Sequence, residues 1–136
     1  MLMNDLFDRY ERDVVPRLHP RTQNDYLRHL KILRRHFGHR DADDIKPRDI
    51  GQFLDVETGR IQKNRQISVL SAVYKKAVGR WYVAEKNPCR DVERNESAPR
   101  DRYVTDEEYR ALYATLNPRM QVAMDLALLP GQRQGD

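Results

Sequence analysis

Apolar residues recur along this chain three and four positions apart, and nowhere do they alternate with period two for long enough to make a strand. That regularity confines the fold class to all-α. Helix one is expected over residues 3–14, with Leu6, Phe7, Tyr10 and Val14 on one face and Pro16 closing it. Helix two is expected over 20–37, since Pro20 suits a first helical turn and Gly38 suits a left-handed cap. Ile45-Lys46-Pro47 opens helix three, which carries Ile50, Phe53 and Leu54 and stops before Gly59. Helix four is expected over 61–78, ended by Gly79 and then Asn87-Pro88. The polar, aperiodic stretch 90–102 contains Pro99 and reads as a linker. Beyond it, Thr105 followed by Asp106, Glu107 and Glu108 reads as an N-cap with acids in the first turn, opening two short helices over 106–116 and 118–129.

At 136 residues the chain has room for one helical core and at most part of a second. The 25 lysines and arginines face 21 acidic residues, a mild bias toward a polyanionic partner, so the placement of charge matters more than its sum. The single cysteine, Cys89, has no partner for an intramolecular disulfide. No apolar run approaches a membrane span, and residues 1–13 lack the basic-then-apolar order of a secretory signal. A cytoplasmic location without a membrane partner is expected.

Helix two sorts its residues most clearly. Tyr26, Leu30, Leu33 and Phe37 form one stripe, while Arg21, Asn24, Arg28, Lys31 and Arg35 form the opposite one. A row of cations on a rigid rod can neutralise successive phosphates, and an asparagine among them can reach base edges. Taken alone, such a stripe is more often than not a solvated helix surface. On helix four, Arg60, Lys63, Arg65, Lys75, Lys76 and Arg80 lie on or beside the helix without an acidic residue among them. Its apolar stripe is Ile67, Leu70, Tyr74, Ala77 and Val78, and its outer face presents Asn64, Ser68, Ser71, Ala72 and Lys75. Small residues flanked by cations let a helix sit deep in a groove, or alternatively let another helix pack closely. His36 and His39 with Asp41, Asp43 and Asp44 read as loop chemistry rather than a metal site. Cys89 reads as packed beside Pro88 rather than as a nucleophile.

Several motifs, in order along almost the whole chain, resemble the phage-integrase branch of the tyrosine recombinases. Pro20-Arg21-Thr22-Gln23-Asn24-Asp25-Tyr26 looks like the family's Thr-then-Tyr opening of the second helix in its core-binding domain. Asp44-Ile45-Lys46-Pro47-Arg48-Asp49-Ile50 resembles its turn into helix three. Asn64-Arg65 with Leu70-Ser71-Ala72-Val73 is similar to its helix-four core, and Asn87-Pro88 to the pair that ends the domain. Pro99-Arg100-Asp101-Arg102-Tyr103-Val104-Thr105 looks like the approach to the catalytic domain. Leu128-Leu129-Pro130-Gly131-Gln132-Arg133-Gln134-Gly135-Asp136 resembles the box that holds the first catalytic arginine, with Pro130 where the family usually has threonine.

The resemblance implies a four-helix, SAM-like core-binding domain of crossed helical hairpins over residues 1–93, a linker over 94–103, and the truncated helical start of a catalytic domain over 104–136. It implies that Arg133 is a bidentate donor to the attacked phosphate, supported by Asp136. It implies DNA breaking and rejoining by a nucleophilic tyrosine, with no metal or other cofactor and no small-molecule substrate. The family's lysine, second arginine, histidine and tyrosine are expected beyond Asp136, so these residues alone are expected to bind double-stranded DNA without cutting it. The DNA contacts it implies are Arg21, Thr22, Asn24, Arg28 and Lys31, then Lys63, Asn64, Arg65, Ser68, Ser71 and Lys75. Thr22 and Asn64 alternatively serve as caps or bonding partners inside the bundle. A competing reading is an interaction module that pairs with an intact recombinase protomer. Its support is Val122, Ala123, Met124, Leu126, Ala127, Leu128 and Leu129, which leave the last helix almost no polar face.

Overall fold

Each apolar stripe needs a partner surface, and the first four helices supply one another's. The computed structural model describes residues 1–56, 59–96 and 102–128. Among these it forms α1 (Met3–Asp13), a 3-10 turn at Val15–Arg17, α2 (Pro20–Phe37), a second 3-10 turn at Ala42–Asp44, α3 (Pro47–Asp55), α4 (Arg60–Gly79), α5 (Asp106–Thr115) and α6 (Pro118–Leu128). The fold is all-α, as the spacing requires. Two compact units divide the chain, Met1–Ser97 and Ala98–Asp136.

The core of the first unit draws on all four of its helices. Met3, Leu6 and Phe7 come from α1, Leu30 and Leu33 from α2, Ile50 from α3, and Ile67, Leu70, Val73 and Tyr74 from α4, each without exposure to solvent. Tyr74 is buried whole, and its hydroxyl donates to the Ala42 carbonyl at 2.8 Å, so this polar atom is satisfied inside the core. Arg34 braces α2 against α1 through Asp8 and Glu11, at 2.8 and 2.9 Å.

Gly38 does not take the left-handed cap expected from sequence. Its φ of −57° and ψ of −31° are right-handed, and its carbonyl accepts from the Asn4 amide at 3.0 Å. An added Cβ would collide with the Asn4 side chain and the Arg34 carbonyl, so close approach of α1 is what requires glycine. Gly79 is the last residue of α4, as expected. The helix ends where Trp81 and Val83 donate their amides back to the Lys76 and Ala77 carbonyls, with Tyr82 in the left-handed region at φ 53°. Glycine does meet that requirement at Gly59, which caps the start of α4 at φ 73°.

In the first unit, Asn95 is tied back to the bundle. Its amide nitrogen and carbonyl bond both ends of the Asn64 side chain at 3.0 and 2.7 Å, and its own side chain donates to the Leu54 carbonyl at 3.1 Å. In the second unit, Thr105 and Glu108 form a reciprocal capping box at 3.2 and 3.1 Å. Tyr113 of α5 donates to Asp125 of α6 at 2.9 Å. No described residue of α5 or α6 is buried, and Leu112, Val122, Leu126 and Leu128 are all exposed.

Leu70→Ala is expected to destabilise the first unit by about 2–5 kcal/mol, and Leu112→Ala to leave it within about 0.5 kcal/mol. Denaturant unfolding followed by Trp81 fluorescence measures both; equal effects would contradict the core described here.

Candidate nucleic-acid interface

Side-by-side packing of α2 and α4 leaves an open groove of about 630 Å³ between their outer edges. From α2 it is lined by Arg21, Thr22, Asn24 and Arg28, and from α4 by Arg65 and Ser68. These six of the residues read from sequence meet on one surface because Arg21, Asn24 and Arg28 repeat at one turn of α2, as Arg65 and Ser68 do on α4. Arg21 and Arg65 make no ion pair or side-chain hydrogen bond among the described residues. Arg28 pairs with Asp25 at 2.9 Å, but both are exposed, and such a pair is worth about 0–1 kcal/mol, weak enough for a phosphate to displace. Ser68 donates to the Asn64 carbonyl at 2.9 Å and keeps its oxygen at the surface.

The other nominated residues lie elsewhere. Lys31 is exposed farther along α2, and Lys75 is exposed on α4; neither lines the groove. Lys63 folds back on α3, its ammonium 3.1 Å from the Val56 carbonyl and 5.2 Å above the Phe53 ring. Asn64 holds Asn95, and Ser71 accepts from Asn87 at 3.0 Å, so both side chains are engaged inside the first unit. Arg133 and Asp136 lie outside the described residues.

Asp25, Tyr26, His29 and Val69 also line the groove, although sequence reading did not place them in it. Their signal was spacing: Asp25 and His29 stand one turn apart, beside Arg21 and Arg28. Tyr26 is fixed by stacking on Tyr10, with ring centres 6.3 Å apart and planes 7° off parallel. Three guanidiniums against one carboxylate make a surface for a polyanion, while Asn24 and Asp25 offer hydrogen-bonding groups suited to base edges. His36 instead packs edge-on against Phe53 at 4.9 Å, and no described cluster of His, Cys, Asp or Glu could hold a metal. Burial pushes the Cys89 thiol up to about 12, which keeps it protonated and poorly nucleophilic. No helix among the described residues is long and apolar enough to cross a membrane.

No protein-family model matches the chain. The integrase of Escherichia phage HK022 is 32% identical to it over 136 residues, covering 95% of this chain and 38% of that protein. The integrases of Enterobacteria phage 434 and Escherichia phage lambda are 26% and 25% identical over 141 residues, covering 98% of this chain and 39% of theirs. The chain thus spans about two fifths of the length of the curated relatives it matches. Among solved structures, a lambda integrase dimer bound to a COC′ core site is similar with a TM-score of 0.88 at 26% identity, covering all of this chain and 50% of that one. A lambda integrase tetramer bound to a Holliday junction has the same fold over the whole chain and 42% of its own, with a TM-score of 0.85 at 24% identity.

His29 sits beneath the groove, 6% exposed, and its Nδ1 is buried with no hydrogen-bond partner among the described residues. Burial, then the charges of Arg28 and Arg65, hold its imidazole below the ordinary value of 6.5 despite the opposing charge of Asp25. The unfolded chain therefore takes up a proton near pH 6.5 before the folded one does, so this contribution to stability is full above that pH and declines as pH falls through it. Thermal unfolding at pH 7.5 and 5.5 is expected to show a smaller acid-induced drop in Tm for His29→Leu than for the wild type. An equal drop would remove His29 from the account.

Proposed function

We propose that this chain is part of a phage integrase, the branch of the tyrosine recombinases that its motifs resemble, and that its first unit grips double-stranded DNA for site-specific recombination. The observation that carries the reading is the convergence of Arg21, Thr22, Asn24 and Arg28 with Arg65 and Ser68 on one groove. The guanidiniums bind backbone phosphates and release their counterions, which supplies most of the affinity. Asn24, Asp25 and Ser68 lie between them, where base edges would come, Asn suiting adenine and Asp the cytosine amino group. Lambda integrase bound to a core site supports the same substrate class for this surface.

The resemblance carries one catalytic role, the phosphate-binding arginine, onto Arg133. It carries the attacking tyrosine onto no residue here: the seven tyrosines of the sequence end at Tyr113. The work proposed for these residues is therefore to hold and orient the duplex. Strand cleavage and rejoining belong to the reaction of the wider integrase family.

A second reading, contact with other recombinase protomers, is favoured by the second unit. Val122, Leu126 and Leu128 are each more than half exposed on α6, an apolar surface that protein contact would bury. Such contact is insensitive to salt, whereas phosphate binding is not.

Binding of a mixed-sequence duplex at several salt concentrations tests the DNA reading. Arg21→Ala, Arg28→Ala and Arg65→Ala are each expected to weaken binding and flatten the log–log salt slope by about 0.9. Lys63→Ala, whose ammonium is held by the Val56 carbonyl, is expected to leave the slope near wild type. Salt-independent binding, or slopes unmoved by all three arginines, would overturn the proposal.

A further inference from the structure

A second cationic basin, of about 390 Å³, opens at the far end of α4, where Arg17, Lys76 and Arg80 gather around Trp81. None of these three cations makes an ion pair or a side-chain hydrogen bond among the described residues. The one carboxylate in the lining, Asp13, is already held by Arg12 at 2.9 Å and Arg9 at 3.7 Å. Lys76 is half-buried.

The basin is a built feature. Trp81 is clamped by the Arg9 guanidinium 4.5 Å over its ring and by the edge of Tyr10 at 6.4 Å. The turn that turns Trp81 inward passes through Tyr82 in the left-handed region, a conformation that tyrosine holds only at some cost. On the other wall, Gln23 donates to the Leu18 carbonyl at 2.8 Å and to Pro16 at 3.3 Å, which fixes Arg17 relative to the first turn of α2.

Its position is continuous with the first groove. On α4, Arg65, Val69, Ala72, Lys76 and Arg80 follow one another at steps of three and four, so they share one stripe that begins in the groove and ends in the basin. On the opposite wall the chain passes directly from Arg17 in the basin to Arg21 in the groove. At a rise of about 1.5 Å per residue, Arg65 to Arg80 spans about 22 Å. That length matches about six base pairs at 3.4 Å each.

We propose that the Arg17–Lys76–Arg80 basin is a second phosphate-binding site for the same duplex, extending the grip toward the end of α4. The proposal rests on the reading that the α2–α4 groove binds DNA. Its ligand chemistry is the phosphate anion, supplied by the duplex backbone rather than by a free phosphate. Lys76 and Arg80 contact phosphates without reading bases, so their loss lowers affinity for every sequence alike.

The test uses the full chain carrying Lys76→Gln and Arg80→Gln together, with Arg48→Gln on the exposed side of α3 as the control for net charge. Unchanged thermal unfolding first confirms that the double variant folds. The double variant is expected to flatten the salt slope of duplex binding by about 1.8, and Arg48→Gln to leave it unchanged. Arg65→Gln separates the two readings. If it flattens the slope and the double variant does not, the basin proposal fails and the groove stands; if neither it, nor Arg21→Ala, nor Arg28→Ala, nor the double variant does, both fail. A parallel titration with inorganic phosphate, followed by Trp81 fluorescence, distinguishes the source. A response lost in the double variant together with an unchanged duplex slope would assign the basin to a free anion and overturn the proposal.

Discussion

The seating of α2 against α4 is the constraint on which the remaining features depend. Leu30 and Leu33 on one helix and Ile67, Leu70 and Tyr74 on the other are fully buried in a shared core. Protein interiors pack too densely for such a contact to slide or rotate freely. Once the apolar stripes meet, the outward-facing residues of each helix are set relative to the seam between them. Arg21, Asn24 and Arg28 emerge from one side of it and Arg65 and Ser68 from the other. The groove is thus a by-product of core packing, which also explains how its surface cations are held in register, Arg21 and Arg65 without a partner among the described residues. Tyr74 fixes the arrangement further, since its buried hydroxyl has a single acceptor, the Ala42 carbonyl.

A surface of this kind suits a duplex better than a small ligand. It is open, its cations are separated along helices rather than converging on a point, and its neutral and acidic groups sit between them. In the proposed binding mode, phosphate contacts would fix position and leave Asn24, Asp25 and Ser68 where sequence would be read. The second unit follows a different logic. Its first helix, α5, is capped by Thr105 and Glu108, and no described residue of α5 or α6 is fully buried.

Much of this was legible in the sequence, for identifiable reasons. Helical periodicity located α1 to α4 because a bundle core imposes that spacing directly, and Pro20 and Pro47 marked the starts of α2 and α3. Residues on one face of a single helix were legible too, as with Arg21, Asn24 and Arg28. What the sequence concealed were relations between elements. Gly38 is a glycine because α1 crosses it, not because of its own dihedral angles. Asn64 and Ser71 lie on the outer side of α4 but face the segment that returns over it, where Asn95 and Asn87 occupy them. Nothing in the spacing along α4 announces that Arg17, from a separate turn, shares a basin with Lys76 and Arg80. The resemblance to integrases bridged part of this gap by supplying an order of motifs, but it could not say which side chains the bundle itself consumes.

The central claim is that one face of the bundle, the seam between α2 and α4, meets the duplex. Amide chemical-shift mapping of the full chain, titrated with duplex DNA, addresses that claim most directly. The account predicts that the largest shifts fall on residues 21–29 of α2 and 65–69 of α4, with residues 47–55 of α3 little changed. Largest shifts on α3, or on α6 with the seam unperturbed, would contradict it.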